Sequence, residues 1–281
     1  MNRTASRRDP VGAACRAAAI AVVVGFVVLA AYLGVTASQV VDIDFLRRTP
    51  SGVAVTAGIG PALAGTLWLL LLTAVLALPI GIGTAIYLEE YAPRTRLTAL
   101  IESVAANLAG IPSVIYGIVG LALFVRALGM GPTILAGGCT LAVLALPVVI
   151  VSSRTAIRRV PEGLRMAAYG LGATRWQVVR NQILPAAGPG ILAGCCAAFT
   201  RTAGAAAPLL VLGTATFMSF APQTPAHPLT SLPTQIFVWA TRSQEEFAAL
   251  AAGAALVLLL LLLAMNLVAA LVVRGLKGAF R

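Results

Sequence analysis

Charged residues are scarce in this sequence, which excludes an ordinary soluble domain. Asp, Glu, Lys and Arg make up 10% of the 281 residues, whereas soluble domains carry about 25%. The four cysteines lie in or at the edge of apolar runs without metal-ligand spacing, and we expect them to be small buried hydrophobes. The single histidine, His227, has no cluster of ligands around it and is expected to be a solvated loop residue. We therefore predict no metal site.

Groups that catalyse reactions are also lacking. No G-x-x-x-x-G-K-[ST] phosphate loop occurs, so the chain is not expected to hydrolyse ATP itself. No paired acids, histidine cluster or activated nucleophile is recognisable, so we predict no catalytic residue and no cofactor. Proton-coupled carriers usually have Asp, Glu or His within their spans, whereas the charged group predicted within a span here is Arg201.

Long apolar runs are abundant, and several are long enough to cross a bilayer, which takes about 20 residues. A signal peptide is a poor interpretation of the first run, because signal cores are only about 7–15 residues long. We therefore predict an all-α, polytopic membrane bundle of six helices. The predicted spans are 17–38, 62–88, 101–125, 133–152, 190–213 and 248–273.

The net charge of +11 reports orientation rather than nucleic-acid binding. With a cytoplasmic N-terminus, 15 of the 20 Lys and Arg residues fall on the inside, 4 on the outside and Arg201 within a span. This asymmetry follows the positive-inside rule. We therefore expect a multi-pass protein of the inner (plasma) membrane with both termini in the cytoplasm.

The third predicted span contains polar and helix-breaking residues within its apolar run: Asn107, Gly110, Pro112 and Ser113. Interrupted membrane helices often lie near a substrate path, but they are also common as packing kinks, and the sequence leaves both open. Just before this span, Glu89, Glu90 and Glu102 flank a short loop beside Arg94 and Arg96. These acids are expected to form a solvated, partly paired cytoplasmic face.

A polar hairpin separates two apolar runs near the middle of the chain, at 158–188. Pro161 and Glu162 suit the start of a helix whose apolar face holds Leu164, Ala167, Ala168 and Leu171. Gly170 and Gly172 break this helix, and Thr174 can cap a second one with Trp176, Val179 and Ile183 on its apolar face. Pro185 is predicted to end it. Long ordered loops of this kind tend to be functional.

This hairpin resembles the EAA loop of ABC importer permeases, in which a short helix docks on an ATPase subunit. Further stretches resemble the A-type permease subunit of the phosphate-specific (Pst) importer. They are GTAIYLEEYAPRTRL (83–97), NLAGIPSVIYGIVGLALFV (107–125), RTAGAAAPLL (201–210) and SLPTQIFVWA (231–240). The resemblance implies a type I permease fold, and coupling to the ATPase through Ala167, Ala168, Gly172, Ala173, Thr174 and Trp176.

Arg201 is the candidate substrate-pathway residue, together with Asn107 and Ser113. It lies about 11 residues from each end of its predicted span, hence about 16 Å deep. A lone arginine there costs about 2.5–3.5 kcal/mol, so a carboxylate, a water-filled cavity or an anion must compensate. The guanidinium fork matches phosphate oxygens. The alternative is a structural arginine bonded to backbone carbonyls or to an acid of another chain.

The sequence departs from the family pattern at two places. The family usually reads R-x-x-G-E-T-A-P around this arginine, whereas Ala205 and Ala206 stand here in place of the Glu and Thr. Met166 stands where the EAA loop normally has its glutamate. Arg201 thus lacks a carboxylate four residues further along its own helix.

The resemblance implies further partners: two ATPase subunits that bind the ATP, a homologous second permease and an extracytoplasmic phosphate-binding protein. Residues 1–58 would hold the N-terminal tail, first span and external loop, and residues 59–281 the permease domain. The loop 214–247, amphipathic around 233–246, is either a contact for the binding protein or an interfacial helix without a partner. Alternatives are a secondary anion transporter or channel that works without ATP, or a diverged permease for another oxyanion.

Overall fold

The computed structural model describes residues 10–38, 40–93, 95–215 and 217–279. Nearly all of the regular structure in these ranges is helical, with an isolated β-bridge between Thr133 and Pro228. The prediction of an all-α membrane bundle is confirmed. The helices are α1 (Pro10–Ala37), α2 (Ile43–Arg47), α3 (Gly60–Ile86), α4 (Arg96–Leu108), α5 (Ser113–Gly120), α6 (Ile134–Arg158), α7 (Glu162–Gly170), α8 (Arg175–Val178), α9 (Leu184–Ala203), α10 (Ala206–Leu212), α11 (Leu232–Ala240) and α12 (Glu245–Ala279).

Three of these helices continue through wider, π-helical turns. Such a turn extends α3 over Tyr87–Tyr91 and α5 over Leu121–Ala127, and another joins α8 to α9 over Val179–Ile183. Within the described ranges, five continuous helices are long and apolar enough to cross a membrane. A sixth span is available only if α4 and α5 are counted together.

The third predicted span, 101–125, is therefore not one straight helix. The axes of α4 and α5 meet at 106°, and the chain turns through Ala109–Pro112 between them. Pro112 explains the break, because proline disfavours helical backbone in the residue before it and donates no amide hydrogen bond. The interruption predicted from Asn107, Gly110 and Pro112 is thus a sharp elbow.

The fifth predicted span, 190–213, is also wrong in its bounds. The helical run starts at Arg175, continues past Pro185, ends at Ala203, and is followed by the separate helix α10. Pro185 does not end the second hairpin helix because the π-turn Val179–Ile183 lies just before it. A widened turn of this kind accommodates a residue that lacks an amide donor.

The most buried helix of the bundle is α6, which packs between α3 and α9. Small residues allow the close approach: an added Cβ at Gly81 would lie 2.7 Å from a Val149 methyl, and one at Gly190 would lie 2.8 Å from the Ala156 Cβ. This use of small residues is usual between membrane helices. By contrast, α1 contacts α12 and leaves nearly all of its side chains exposed.

The stretch 233–246 does not form a free amphipathic helix. Its first part is α11, whose Trp239 is buried between the rings of Phe45 and Phe247, and α12 begins at Glu245.

Two predictions for single residues are also wrong. His227 is half-buried rather than solvated: its Nδ1 accepts a hydrogen bond from the Gln223 amide at 3.0 Å. Of the cysteines, Cys195 is buried but Cys15 is exposed, against the expectation for that residue.

Candidate functional site

Arg201 lies in the last turn of α9, beside the elbow between α4 and α5. Its Nη1 donates a hydrogen bond to the Ala109 carbonyl oxygen at 2.9 Å, across 92 residues of sequence. Ala109 is the residue that ends α4, so the guanidinium binds the negative end of that helix dipole. One of the five guanidinium N–H groups of Arg201 thus binds a backbone carbonyl, as the alternative of a structural arginine predicts.

The packing of α9 against α6 indicates the depth of Arg201. These antiparallel helices place Gly190 beside Ala156 and Gly194 beside Ser152. Continuing this register along α9 brings Arg201 level with Ala145, close to the middle of α6. Because α6 is one of the helices long enough to span the bilayer, this register agrees with the predicted mid-membrane depth of Arg201.

Two interrupted helices meet at this level. The first is α4 with α5, and the second is α9 with α10, whose break lies at Gly204 and Ala205. The second halves, α5 and α10, are in close contact, since an added Cβ on Gly117 would lie 2.7 Å from the Pro208 Cα. Irregular backbone at membrane depth is tolerated where it is buried in protein or lines a cavity.

The other two predicted pathway residues flank the same elbow. Asn107 is exposed near the end of α4, and Ser113 is half-buried at the start of α5. Within the described residues neither side chain makes a hydrogen bond, whereas the nearby Tyr116 hydroxyl donates to the Leu108 carbonyl at 2.7 Å. The elbow thus carries two polar side chains that make no hydrogen bond within the described residues.

The chemistry available at Arg201 is anion binding. Its side chain is exposed, and the ion pairs found among the described residues do not include it. Four of its N–H groups point to no acceptor in these residues, and a guanidinium can offer two parallel N–H donors to an oxyanion. With Ala205 in place of the usual acid, the site is cationic within this part of the chain.

The hairpin forms as predicted at its turn. Gly172 adopts φ +82°, a conformation that favours glycine, and its amide donates to the Tyr169 carbonyl at 2.9 Å. Thr174 caps α8: its hydroxyl accepts from the Gln177 amide, and the Gln177 side chain accepts from the Thr174 amide. Ala168 and Ala173 are half-buried and join the two sides, since the Ala173 amide donates to the Ala168 carbonyl at 3.1 Å.

The hairpin turns its apolar side chains outward. Leu171 is 90% exposed and Trp176 is 56% exposed, and three more large apolar residues nearby are also exposed: Leu164, Met166 and Tyr169. We call these five residues the hairpin patch. At its base, Val178, Val179 and Ile183 are fully buried against α6 and α3. Several exposed large apolar side chains on one anchored element are typical of a protein interface.

The acidic residues Glu89, Glu90 and Glu102 are paired, as predicted in part, but the prediction of a solvated face is wrong for two of them. Glu89 and Glu90 are not solvated beside Arg94 and Arg96, because their side chains are only 11% and 8% exposed. They pair instead with arginines on α6 and α7, as does Glu102. Arg94 lies outside the described residues. The partners are 65 or more residues away from Glu89, so no local pattern could reveal them.

Comparison with known proteins agrees with these features. The family model for the inner membrane component of binding-protein-dependent transport systems matches residues 77–278. A probable ABC transporter permease, YqgI of Bacillus subtilis, is 34% identical over 70% of this chain and 66% of its own length. The phosphate transport permease PstA of Yersinia pestis is 32% identical over 81% of this chain and 76% of its own. Its counterpart in Mycobacterium leprae is 37% identical over 55% of this chain, which spans only 51% of that relative.

Solved structures show the same fold at lower sequence identity. A bacterial alginate ABC transporter superposes with a TM-score of 0.64 at 15% identity, over 91% of this chain and 92% of that one. The inward-facing MetNI methionine ABC transporter gives a TM-score of 0.61 at 19% identity, over 78% of this chain and 97% of that one. The fold is that of a type I importer permease. With its exposed hairpin, broken helices and family match, the chain belongs to the inner-membrane permeases of binding-protein-dependent ABC importers.

Proposed function

We propose that this chain is the permease subunit of an ATP-driven importer whose substrate is inorganic phosphate. Relatives named as phosphate transport permeases support phosphate as the substrate. The structural observation on which the proposal depends is Arg201 at the junction of two broken helices. Its exposed guanidinium forms no ion pair within the described residues, and an oxyanion is the complementary ligand. Asn107 and Ser113 supply further donors beside the elbow.

In this proposal the hairpin patch docks on a separate ATPase subunit. Trp176 and Leu171 are its most exposed large side chains near the turn, and Gly172 and Thr174 hold the turn that presents them. Large apolar and aromatic residues commonly carry the binding energy of such contacts. ATP would be bound by the ATPase, so this chain contributes docking and no nucleotide chemistry.

The remaining partners follow from family membership. A second permease subunit would complete the pathway, and an extracytoplasmic binding protein would deliver phosphate to the outer face. Exposed apolar side chains on α4 and α5, such as Val104 and Ile118, suit a contact with the second permease or with lipid. The outer loop 214–247 remains the candidate contact for the binding protein, through the exposed Phe217 and Phe220.

The test is uptake of radiolabelled phosphate into proteoliposomes that hold the complete complex, with and without ATP. We expect ATP-dependent uptake that falls at least about tenfold in Arg201→Ala and recovers in part in Arg201→Lys, which keeps the charge but loses the fork. Arg126→Ala, at the outer end of α5, is the control. Uptake without ATP would favour a secondary carrier, and preference for another oxyanion in competition assays would identify a diverged permease.

A further inference from the structure

We propose that α4 is the lever that connects the coupling hairpin to Arg201. It is held at Glu102, in its middle, by a network of ion pairs and at its C-terminal end by the Arg201–Ala109 hydrogen bond. This inference rests on the proposed function, since it names the element through which movement of the hairpin reaches the substrate pathway. The connections that carry it can be followed one contact at a time.

The first connection ties the hairpin to the cytoplasmic ends of α3 and α6. Arg165, on α7, lies 3.0 Å from a Glu90 carboxylate oxygen and also donates to the Ile157 carbonyl at 3.0 Å. A second hairpin residue, Arg175, stacks on the Tyr91 ring at 5.3 Å. Because the Glu90 side chain is only 8% exposed, its pairing with Arg165 is weakly screened by solvent.

The second connection joins α3 to α6. The two oxygens of Glu89 accept from Arg154 Nε at 2.7 Å and from Arg158 Nε at 2.8 Å. Glu89 and Arg154 are about one-tenth exposed. A carboxylate that satisfies two arginines one helical turn apart holds the end of α3 rigidly on α6.

The third connection passes from α6 to α4. Arg154 also forms an ion pair with Glu102, with 2.6 Å between Nη2 and a carboxylate oxygen, and Arg158 lies 3.7 Å from the other oxygen. Glu102 is thus held by both arginines that hold Glu89. Since Glu102 lies within α4, the network grips this helix directly.

The last connection is α4 itself. From Glu102 to Ala109 is seven residues, or about 10 Å of helix. Apart from Ala105, the residues of α4 are exposed or half-buried, so little of this helix is fixed by burial in the described part of the chain. The buried Ala105 and the hydrogen bond from the Tyr116 hydroxyl to the Leu108 carbonyl at 2.7 Å also hold this segment, so it moves as one short rod. Movement of Glu102 then alters the distance between the Ala109 carbonyl and Arg201.

The two ends are therefore linked in both directions. An anion at the guanidinium competes with the Ala109 carbonyl for N–H donors, and loss of that bond frees the end of α4. By reciprocity, a hairpin displacement that pulls the carbonyl away leaves Arg201 with more donors for an anion. The ion pairs make this network stiff, whereas the far end of α4 is held only through neutral carbonyl groups, Leu108 for Tyr116 and Ala109 for Arg201, and this end is the release point.

The test is a distance measurement between spin labels in the assembled complex. Ser103→Cys places one label on an exposed site of α4 and Ala240→Cys places the other at the exposed end of α11. The background has its four native cysteines replaced by alanine. We expect trapping of the ATPase with ATP and vanadate to shift the distance, and Arg165→Gln and Glu102→Gln each to abolish the shift while the ATPase still co-purifies.

The matched control is Arg159→Gln, an exposed arginine next to Arg158 that takes part in none of the ion pairs of the described residues; the shift should persist there. If the Arg165→Gln variant does not assemble into the complex, the double variant Arg165→Glu with Glu90→Arg is tested instead. Because it restores the ion pair with exchanged charges, it should also restore the shift. The proposal is overturned if the parent shows no shift, or if the shift survives in Arg165→Gln and Glu102→Gln. Loss of the shift in Arg159→Gln or in the double variant would also overturn it.

This readout separates the lever from the substrate. A shift in the parent without any phosphate uptake would refute phosphate as the substrate but would still support α4 as the lever. Uptake in the parent without a shift would keep the proposed function and refute the lever. Failure of any ATPase to bind the complex would refute both.

Discussion

At the scale of single residues, Arg201 makes one structural contact and carries the proposed substrate role. One N–H group caps the end of α4 through Ala109, and we propose that the others bind the anion. Ala205, where the family usually has an acid, stands in the break between α9 and α10, so this position supplies no carboxylate. Its absence makes an anion the natural complement of the charge, because a lone arginine within the bilayer is costly.

Gly172 offers a prediction at this scale, because its φ of +82° favours glycine. Gly172→Ala should strain the hairpin turn by about 1–2 kcal/mol and weaken ATPase binding up to about tenfold. Affinity of the ATPase subunit for the reconstituted permease measures this. Gly170→Ala is the matched control, since both glycines have open space around an added Cβ but Gly170 is helical. Equal losses in the two variants would contradict the role of φ.

At the scale of elements, the central feature is a pair of broken helices that meet at the depth of Arg201. The chain bends by 106° between α4 and α5, and α10 packs against α5 beyond the break in the second helix. The halves on the hairpin side are connected to the hairpin, either by continuity through α8 or by the ion-pair network. The interruption therefore divides each helix into a part near the hairpin and a part beyond Arg201.

Gly117→Ala is the prediction for this contact between α5 and α10. The new Cβ would lie 2.7 Å from the Pro208 Cα and 2.8 Å from its carbonyl oxygen, and backbone atoms cannot turn aside. Overpacking of this kind costs about 1–3 kcal/mol. The midpoint of thermal unfolding in detergent should fall, whereas Gly83→Ala, with nothing within 4 Å of its added Cβ, should leave it unchanged. Unchanged unfolding of Gly117→Ala would mean that α5 and α10 are not in tight contact.

At the scale of the whole molecule, the predicted orientation places the hairpin and the ion-pair network in the cytoplasm and the 214–247 loop outside. Gly163→Cys and Ala226→Cys, both at exposed positions, test this in a background without the native cysteines. A membrane-impermeant maleimide should label Ala226→Cys in intact cells and Gly163→Cys only in inverted vesicles. The reverse pattern would overturn the orientation inferred from the distribution of Lys and Arg.

The sequence by itself determined the features that depend on local chemistry. Apolar runs marked the bundle of membrane helices, because a bilayer requires about 20 apolar residues for each crossing. Pro112 with Gly110 marked the elbow, and Gly172 with Thr174 marked the hairpin turn. Each of these signals lies within a few residues of the structure it specifies.

Only the tertiary structure decided how distant residues pair. Glu89 and Arg154 are 65 residues apart, and Arg201 and Ala109 are 92 apart, yet both pairs are in contact. Packing also decided that the helix runs through Pro185 and that α11 is buried, against the sequence predictions. Such contacts depend on how whole helices assemble, and neither hydropathy nor a short motif carries that information.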